Sequence, residues 1–247
     1  MINVSIIVGT RPEAIKMAPV IIALKKRCEL FGVQICATGQ HQTMLTDALD
    51  AFSIKPDVTL SEMRPSQSLS VLSSRILTSL DGYLSKTKPD LILVHGDTTT
   101  AMVGSLAAFY HKISVGHVEA GLRSNVLRSP FPEEFNRRSI AVSAKYNFAP
   151  TKSAQLNLLA EGVRPSSIFV TGNTVIDSLL TINQMLSNDP VRSGKLEKEF
   201  KTRWGLEPCV DPFILVTAHR RENFGAGITS ICRSLAELAR ANPTFKF

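Results

Sequence analysis

The chain has 247 residues, of which 44% are hydrophobic, enough to bury one large core or one domain plus part of another. Its 28 Lys and Arg residues exceed its 21 Asp and Glu residues and give a formal charge of +7, which favours an anionic partner. Because the basic residues are scattered and only 6% of the chain is aromatic, no stacking platform is evident, and we do not expect a nucleic-acid partner.

Cysteine spacing argues against a disulfide-bonded or zinc-binding protein, and hydropathy argues against a secreted or membrane protein. The four cysteines, Cys28, Cys36, Cys209 and Cys232, form no Cys-x-x-Cys pair, so isolated buried thiols are expected rather than disulfides or a zinc site. The apolar run Ile2–Val8 leads directly into a turn motif, unlike a signal peptide. No apolar run is long enough to span a bilayer, so we expect a cytoplasmic protein with no membrane partner.

Strand and helix patterns alternate along the first 175 residues. Apolar runs predict strands at Ile2–Val8, Val33–Ala37, Leu91–Val94, Ile113–Val115, Tyr146–Ala149 and Ile168–Val170. Helical patterns occupy Ala14–Arg27, a segment ending near Phe52, Leu69–Tyr83, Thr99–Tyr110, Glu133–Ser143 and Ser153–Ala160. Pro19 should kink the first helix or mark a restart. Every connection is long enough to cross over, which predicts an α/β fold with a doubly wound parallel, Rossmann-like sheet.

The remainder of the chain resembles the start of a second domain. A helix from Val175 leads into the charged stretch Ser187–Pro212, which we interpret as an interdomain connection. A new strand is predicted at Phe213–Val216, followed by a helix to about Arg240 and the start of another strand at Thr244. Because a lone βα unit cannot cover a strand buried on both faces, we expect this domain to be incomplete. The expected organisation is a Rossmann-like domain at 1–175, a connection at 176–211, and the beginning of a second Rossmann-like domain at 212–247.

Two acidic residues follow predicted strands in the middle of the chain. Asp97 comes after the strand at Leu91–Val94, and Glu119 lies within a Gly-His-Val-Glu-Ala-Gly string after the next strand. In an open parallel sheet these strand ends border the ligand crevice, so both carboxylates are candidates for chemistry. Asp97 could instead cap the following helix, whereas Glu119 has no evident capping role.

Charged residues follow three other turns. The turn Gly9–Glu13 favours an anion through its backbone N–H groups, with Arg11 and Lys16 as countercharges, or it is a tight turn with a surface arginine. Glu133 begins a helix, and it could simply satisfy the helix dipole or pair with Arg137 four residues later. His219 follows the predicted strand of the second domain and is either functional or an ordinary loop histidine.

Together these acids, the histidine and the guanidinium groups suit proton transfer on a substrate with an anionic leaving group. They suit metal binding less well, because no His-x-x-x-His or Cys-x-x-Cys spacing is present. The sequence also has no Gly-x-Ser-x-Gly string and no Gly-x-Gly-x-x-Gly after the first strand, which argues against a serine hydrolase and a nicotinamide enzyme.

Seven strings, taken together and in this order, closely resemble the non-hydrolysing UDP-N-acetylglucosamine 2-epimerases. They are GTRPEAIKMAP, TGQH, HGDTTT, GHVEAGLRS, PFPEEFNRR, TGNTVIDSL and TAHRREN. The resemblance implies a glycosyltransferase-B type architecture with the active site between two domains, and interconversion of UDP-GlcNAc and UDP-ManNAc for surface polysaccharides. It further implies elimination and re-addition of UDP through a 2-acetamidoglucal intermediate, without a redox cofactor or a metal.

The same resemblance implies roles for individual residues. By motif position, the acid/base carboxylates are Asp97, Glu119 and Glu133, with Arg137 orienting Glu133. His219 contacts or protonates the departing diphosphate. Arg11 and Lys16 match positions that hold the nucleotide.

The resemblance also has implications for allosteric regulation, for oligomeric state and for how much of a family member's length this stretch represents. Gln40 and Gln67 lie where bacterial members bind a second UDP-GlcNAc as an allosteric activator, although Ser66 stands where the family often has Arg. Family members are commonly homodimers. They also continue through further βα units that clamp the nucleotide, so we expect little or no epimerase activity from this stretch by itself.

Two alternatives stay open: a hydrolysing 2-epimerase that releases ManNAc and UDP, and an inactive fragment that binds nucleotide sugar. A glycosyltransferase of the same architecture is a weaker alternative, because three carboxylates suit proton shuttling better than sugar transfer.

Overall fold

A single parallel sheet organises the first part of the chain. The computed structural model describes residues 1–39, 42–60, 67–218 and 225–247. The strands in these residues are β1 (Ile2–Val8), β2 (Phe31–Ala37), β3 (Val58–Thr59), β4 (Leu91–His95), β5 (Ser114–Val118), β6 (Tyr146–Ala149) and β7 (Ile168–Val170). Their order across the sheet is β3-β2-β1-β4-β5-β6-β7, and each neighbouring pair is parallel. The predicted doubly wound parallel sheet is therefore confirmed.

The strand order reverses between β1 and β4. From β1 the chain first adds β2 and β3 on one side, and it then returns to add β4 to β7 on the other. Loops after adjacent strands diverge at such a switch point and leave a crevice at the carboxyl ends of the strands. The residues after β1, β4 and β5 border this crevice.

Helices cover both faces of the sheet. The helices that follow the strands in the described residues are α1 (Arg11–Lys25), α2 (Gln42–Asp50), α3 (Leu69–Thr87), α4 (Thr99–Tyr110), α5 (Glu133–Ser143), α6 (Lys152–Ala160) and α7 (Thr174–Asn188), with a short 3₁₀ helix at Pro165–Ser167. Two further helices come later in the chain and belong to its second compact unit, α8 (Pro190–Trp204) and α9 (Ala226–Ala241). One face of β1 packs Ile6 against α1 and α2, and its other face packs Ile7 against α3 and α4. Burial on both faces explains why the strands appear as continuous apolar runs.

The first helix begins earlier than its apolar pattern predicts. Thr10 is its N-cap, and the following Pro12 suits the first turn, so the helix starts at Arg11 rather than Ala14. Pro19 lies inside one continuous helix, so the expected restart is wrong.

The chain divides into two compact units, residues 1–182 and 183–247. In the second unit, the stretch that we interpreted as a connection contains α8. Asp189 caps this helix, Pro190 opens it, and Gly205 ends it in the left-handed conformation, so the start and stop signals were present in the sequence. The strand predicted at Phe213–Val216 is reduced to a single parallel bridge between Phe213 and Lys246.

The cysteine prediction is confirmed in part. All four thiols are free, but only Cys36 is buried, whereas the other three are exposed. Within the described ranges, no helix is long and apolar enough to cross a membrane.

Candidate active site

Two threonines cap the helices that follow β1 and β4. The side chain of Thr10 accepts a hydrogen bond from the Glu13 N–H at the start of α1. Thr98 accepts one from the Ala101 N–H at 3.0 Å and so caps α4. Capping by Thr98 rules out the simple explanation of Asp97 as an N-cap residue.

Glu119 lies immediately after β5 and has a left-handed backbone conformation, with φ of +66°. A non-glycine residue in this region costs roughly 1–2 kcal/mol, so the surrounding structure must hold it there. Its Oε2 accepts hydrogen bonds from Lys16 Nζ at 2.5 Å and from Asn173 Nδ2 at 3.2 Å. Gly96, at the end of β4, has a left-handed backbone with φ of +66°, which favours glycine, and Glu119 Oε1 would be in ordinary contact with a Cβ atom there, at 3.8 Å.

Two buried histidines lie beneath this carboxylate. His95 Nε2 is 3.7 Å from Glu119 Oε2, beyond hydrogen-bond distance, and it has no hydrogen-bond partner among the described residues. Burial, with a contribution from Lys16, lowers the pKa of His95 to about 3. Burial also lowers the pKa of His117 to about 4, and its Nε2 donates to the Gly96 carbonyl at 2.6 Å. Both imidazoles are therefore neutral at pH 7, and Lys16 supplies the positive charge beside Glu119.

Asp97 is bound by residues of α5. Arg137 Nη2 makes an ion pair with Asp97 Oδ2, and Asn136 Nδ2 donates to the Asp97 carbonyl at 2.9 Å. The Asp97 side chain remains 29% exposed, which leaves it accessible to a ligand. These contacts hold the first two turns of α5 against the loop after β4.

The predicted pairing of Glu133 with Arg137 is wrong. Arg137 contacts Asp97 and, through Nη1 at 3.3 Å, Glu134 Oε2. Glu133 Oε2 is buried, and in the part of the chain that the structure describes it has no hydrogen-bond partner. Glu133 is the first residue of α5, the helix whose Asn136 and Arg137 bind Asp97.

The turn after β1 binds a carboxyl group that belongs to the chain itself. The buried Glu13 carboxylate accepts hydrogen bonds from the Gly9 N–H at 3.0 Å and from the Thr98 hydroxyl at 2.8 Å. It thereby joins the turn after β1 to the loop after β4. Burial raises the pKa of Glu13 to about 7, against the effect of its hydrogen bonds.

The remaining predicted residues are placed as follows. Arg11 is exposed in the first turn of α1 and lines a mostly apolar cavity of about 530 Å³ with residues of α2 and α7. Gln67 is partly buried, immediately before the N-cap of α3. Gln40 and His219 lie outside the described residues, as does Ser66.

Sequence reasoning missed Glu13, His95, Glu134 and Asn173. Asn173 could have been recognised as a candidate site residue, because it follows β7 as Asp97 follows β4. Its contact with Glu119, which follows a strand two positions away in the sheet, depends on how the loop after β7 folds. No group of three or more His, Cys, Asp or Glu side chains in residues 1–39, 42–60, 67–218 and 225–247 could hold a metal ion.

Chemically, the crevice combines two carboxylates at neighbouring strand ends with two cations from α1 and α5. Each carboxylate is fixed by a charge-assisted hydrogen bond. Such an arrangement suits proton transfer beside a developing negative charge.

Comparison with known proteins points to one kind of enzyme. A sequence model described as UDP-N-acetylglucosamine 2-epimerase matches residues 23–247. The UDP-N-acetylglucosamine 2-epimerase of Yersinia pestis is 50% identical over 235 residues, covering 95% of this chain and 61% of the relative. That of Escherichia coli K12 is 51% identical over 235 residues, covering 94% of this chain and 60% of the relative.

A solved structure is similar over almost the whole chain. The crystal structure of UDP-GlcNAc 2-epimerase from Neisseria meningitidis bound to UDP-GlcNAc matches with a TM-score of 0.89 and 46% identity, over 99% of this chain and 64% of that one. The chain thus spans about 60% of the length of the curated relatives it matches.

Proposed function

The chain belongs to the UDP-N-acetylglucosamine 2-epimerase family, and from this premise we propose that it carries the acid/base site of a non-hydrolysing member. The proposed reaction interconverts UDP-GlcNAc and UDP-ManNAc, which differ in configuration at C2 of the sugar. The substrate is supported by the N. meningitidis relative, whose structure is described as bound to UDP-GlcNAc.

One observation carries the proposal: carboxylates at neighbouring strand ends each pair with a cation from a different helix. Glu119 pairs with Lys16 of α1, and Asp97 pairs with Arg137 of α5. The left-handed backbone of Glu119 adds to this, because conformational strain of this kind is concentrated at functional sites. Carboxylates held in fixed orientations at a switch-point crevice are suited to act on a bound ligand.

The proposed chemistry consists of two proton transfers at C2. In the first, a carboxylate removes the C2 proton, the C–H electron pair forms the C1=C2 double bond of a 2-acetamidoglucal, and UDP leaves with the C1–O pair. In the second, a protonated carboxyl group returns a proton to the other face of C2, and a UDP oxygen re-forms the bond to C1. We assign these transfers to Asp97, Glu119 and Glu133 as a set, because a general acid or base must lie within hydrogen-bond reach of the proton it moves.

The cations have a complementary role in this proposal. Negative charge develops on the diphosphate as the C1–O bond breaks, and fixed positive charges stabilise it. Lys16 and Arg137 are the cations beside the two carboxylates, and Arg11 lies one turn before Lys16 on α1. His219 is proposed to contact or protonate the departing diphosphate.

Proton NMR of the product mixture tests the reaction type. With UDP-GlcNAc as substrate, we expect signals of UDP-ManNAc that approach a constant ratio to those of UDP-GlcNAc. Irreversible accumulation of free ManNAc and UDP would instead identify a hydrolysing epimerase. Binding of UDP by calorimetry without any product would identify a protein that only binds nucleotide sugars.

We further propose that the 247 residues turn over more slowly than a full-length relative. About two fifths of each curated relative has no counterpart in this chain, and residues there are expected to contribute to nucleotide binding. The comparison uses the N. meningitidis enzyme under identical conditions. Turnover by the chain within a few-fold of that enzyme would overturn this part of the proposal.

A further inference from the structure

The Arg137 guanidinium joins Asp97 to a second carboxylate that the proposed reaction does not use. Nη2 of Arg137 pairs with Asp97, and Nη1 lies 3.3 Å from Glu134 Oε2. Glu134 Oε1 in turn accepts from Arg138 Nε at 3.0 Å. Because the guanidinium is planar, two partners on two different nitrogens fix its plane.

Glu134 itself is completely buried, with 0% of its side chain exposed. Besides the two arginines, it accepts the Ser124 N–H at 3.0 Å, which attaches it to the segment before α5. Burial alone would raise the pKa of Glu134, but the Ser124 N–H and the arginines together lower it below its usual value. The carboxylate is therefore charged and rigidly held at pH 7.

An ion pair between a buried arginine and an exposed glutamate lies at the far end of this cluster. Arg123 makes two hydrogen bonds to Glu161, at 2.8 and 2.6 Å, and the Arg123 side chain is only 1% exposed. Glu161 also lies 3.8 Å from Arg138. Alternating charges thus run without interruption from Asp97 to Arg123 along one side of α5.

We propose that Glu134 is a positioning residue for the proposed reaction: it fixes the Arg137 guanidinium and thereby sets the orientation of the Asp97 carboxylate. This inference rests on the proposed function. Without Glu134, Asp97 would be the one ion-pair partner left to Arg137 among the described residues, and both side chains could turn together. A displacement of about 1 Å of a catalytic group lowers the rate on the order of 100-fold.

Replacement of buried ion pairs by apolar residues is often neutral or stabilising, so stability alone does not account for this cluster. A positioning role predicts an effect on Arg137 in the free protein, and NMR of the arginine side-chain nitrogens measures that effect. In the wild-type protein, restricted rotation should give separate signals for the Arg137 Nη groups. Glu134→Gln should average these signals, whereas Arg138→Gln, which leaves the Glu134–Arg137 contact in place, should not.

Two results of this comparison would overturn the proposal. One is averaged Arg137 signals in the wild-type protein, a measurement that needs no variant to fold. The other is unchanged Arg137 signals in Glu134→Gln.

Kinetics provide the second test. Glu134→Gln is expected to lower kcat about 100-fold and to change KM by no more than about twofold. Arg137→Lys should have a similar effect, and the double variant should be no slower than the slower single variant, because Glu134 acts through Arg137. Multiplicative effects of the two substitutions would contradict the proposal. A wild-type protein that releases free ManNAc and UDP irreversibly would refute the proposed function, while the NMR comparison still decides the role of Glu134.

Discussion

Substitution of Glu13 by Gln is expected to change how the stability of the protein depends on pH. Glu13 is fully buried and accepts hydrogen bonds from the Gly9 N–H and the Thr98 hydroxyl. Glutamine has nearly the same size and does not titrate; its carbonyl oxygen can accept from the Gly9 N–H, and its NH2 group can donate to the Thr98 hydroxyl oxygen. The variant therefore isolates the contribution of one ionisation.

The magnitude follows from the difference in pKa between the folded and unfolded states. Burial raises the pKa of Glu13 from 4.5 to about 7. Between these values the unfolded chain loses the proton while the folded chain keeps it, so the stability of the folded state falls as pH rises through this window. Below about pH 4.5 both states are protonated and there is no penalty. The full penalty at pH 8 is about 3 kcal/mol, and Glu13→Gln removes it.

Urea denaturation of the wild-type protein and Glu13→Gln at pH 4.5, 6 and 8 measures this difference. Far-UV circular dichroism is the appropriate signal, because the single tryptophan, Trp204, lies in the other compact unit. Relative to the wild type, the variant should gain about 3 kcal/mol between pH 4.5 and pH 8. Glu161→Gln is a control for which we expect the opposite change in stability with pH. Arg123 lowers the pKa of Glu161, so this variant should lose stability relative to the wild type as pH rises. A difference between Glu13→Gln and the wild type that does not change with pH would refute the reasoning.

Three further predictions concern the loops around the site. Gly121→Ala should lower the free energy of unfolding by about 2–4 kcal/mol, because φ is +86° and the new Cβ would overlap a carbonyl oxygen of α6. Gly162→Ala, with similar φ but open space, should lower it by only about 1 kcal/mol in the same denaturation experiment. Asp97→Asn and Glu119→Gln should reduce kcat far more than they weaken UDP binding by calorimetry, and equal losses would contradict a role in the transition state. Asn173→Asp should reduce kcat at least about tenfold more than Asn173→Ala, because it introduces a like charge beside Glu119, and equal kcat values would argue against this contact.

Much of the fold was predictable because local signals and tertiary packing agree. Strand β1 has the predicted bounds because its apolar residues, Ile2, Val4 and Ile6 to Val8, form a run that a turn motif ends. Helix α5 also has the predicted bounds, with Pro132 before it and two acidic residues in its first turn.

Elements of the second unit were harder to predict. Helix α8 has no buried residue, and its apolar stripe is narrow, with Leu196, Phe200 and Trp204 four residues apart in an otherwise mostly polar segment. Its end signals, Asp189, Pro190 and Gly205, also indicated a helix. At Phe213 the apolar pattern was correct for a strand, but in the described residues only one backbone bridge forms there.

The site illustrates the same limit. Strand ends could be read from the sequence, and this placed Asp97 and Glu119 at the edge of the sheet that borders the ligand crevice. The structure adds that their two strands are neighbours. The partner of Arg137 could not be read from the sequence. A spacing of four residues suggests Glu133, whereas the long arginine side chain reaches Asp97, 40 residues away in the chain. Burial of Glu134 is likewise invisible in the sequence, where it is simply the second of two acids at a helix start.

The most direct test of the account is whether solvent deuterium enters C2 of the sugar. UDP-GlcNAc incubated in D2O with a high concentration of the protein, and analysed by mass spectrometry and NMR, should acquire deuterium at C2 in both UDP-GlcNAc and UDP-ManNAc. Asp97→Asn and Glu119→Gln should abolish or strongly slow this exchange. Formation of UDP-ManNAc that retains its original hydrogen at C2, or exchange at the wild-type rate in both variants, would contradict proton transfer by these carboxylates.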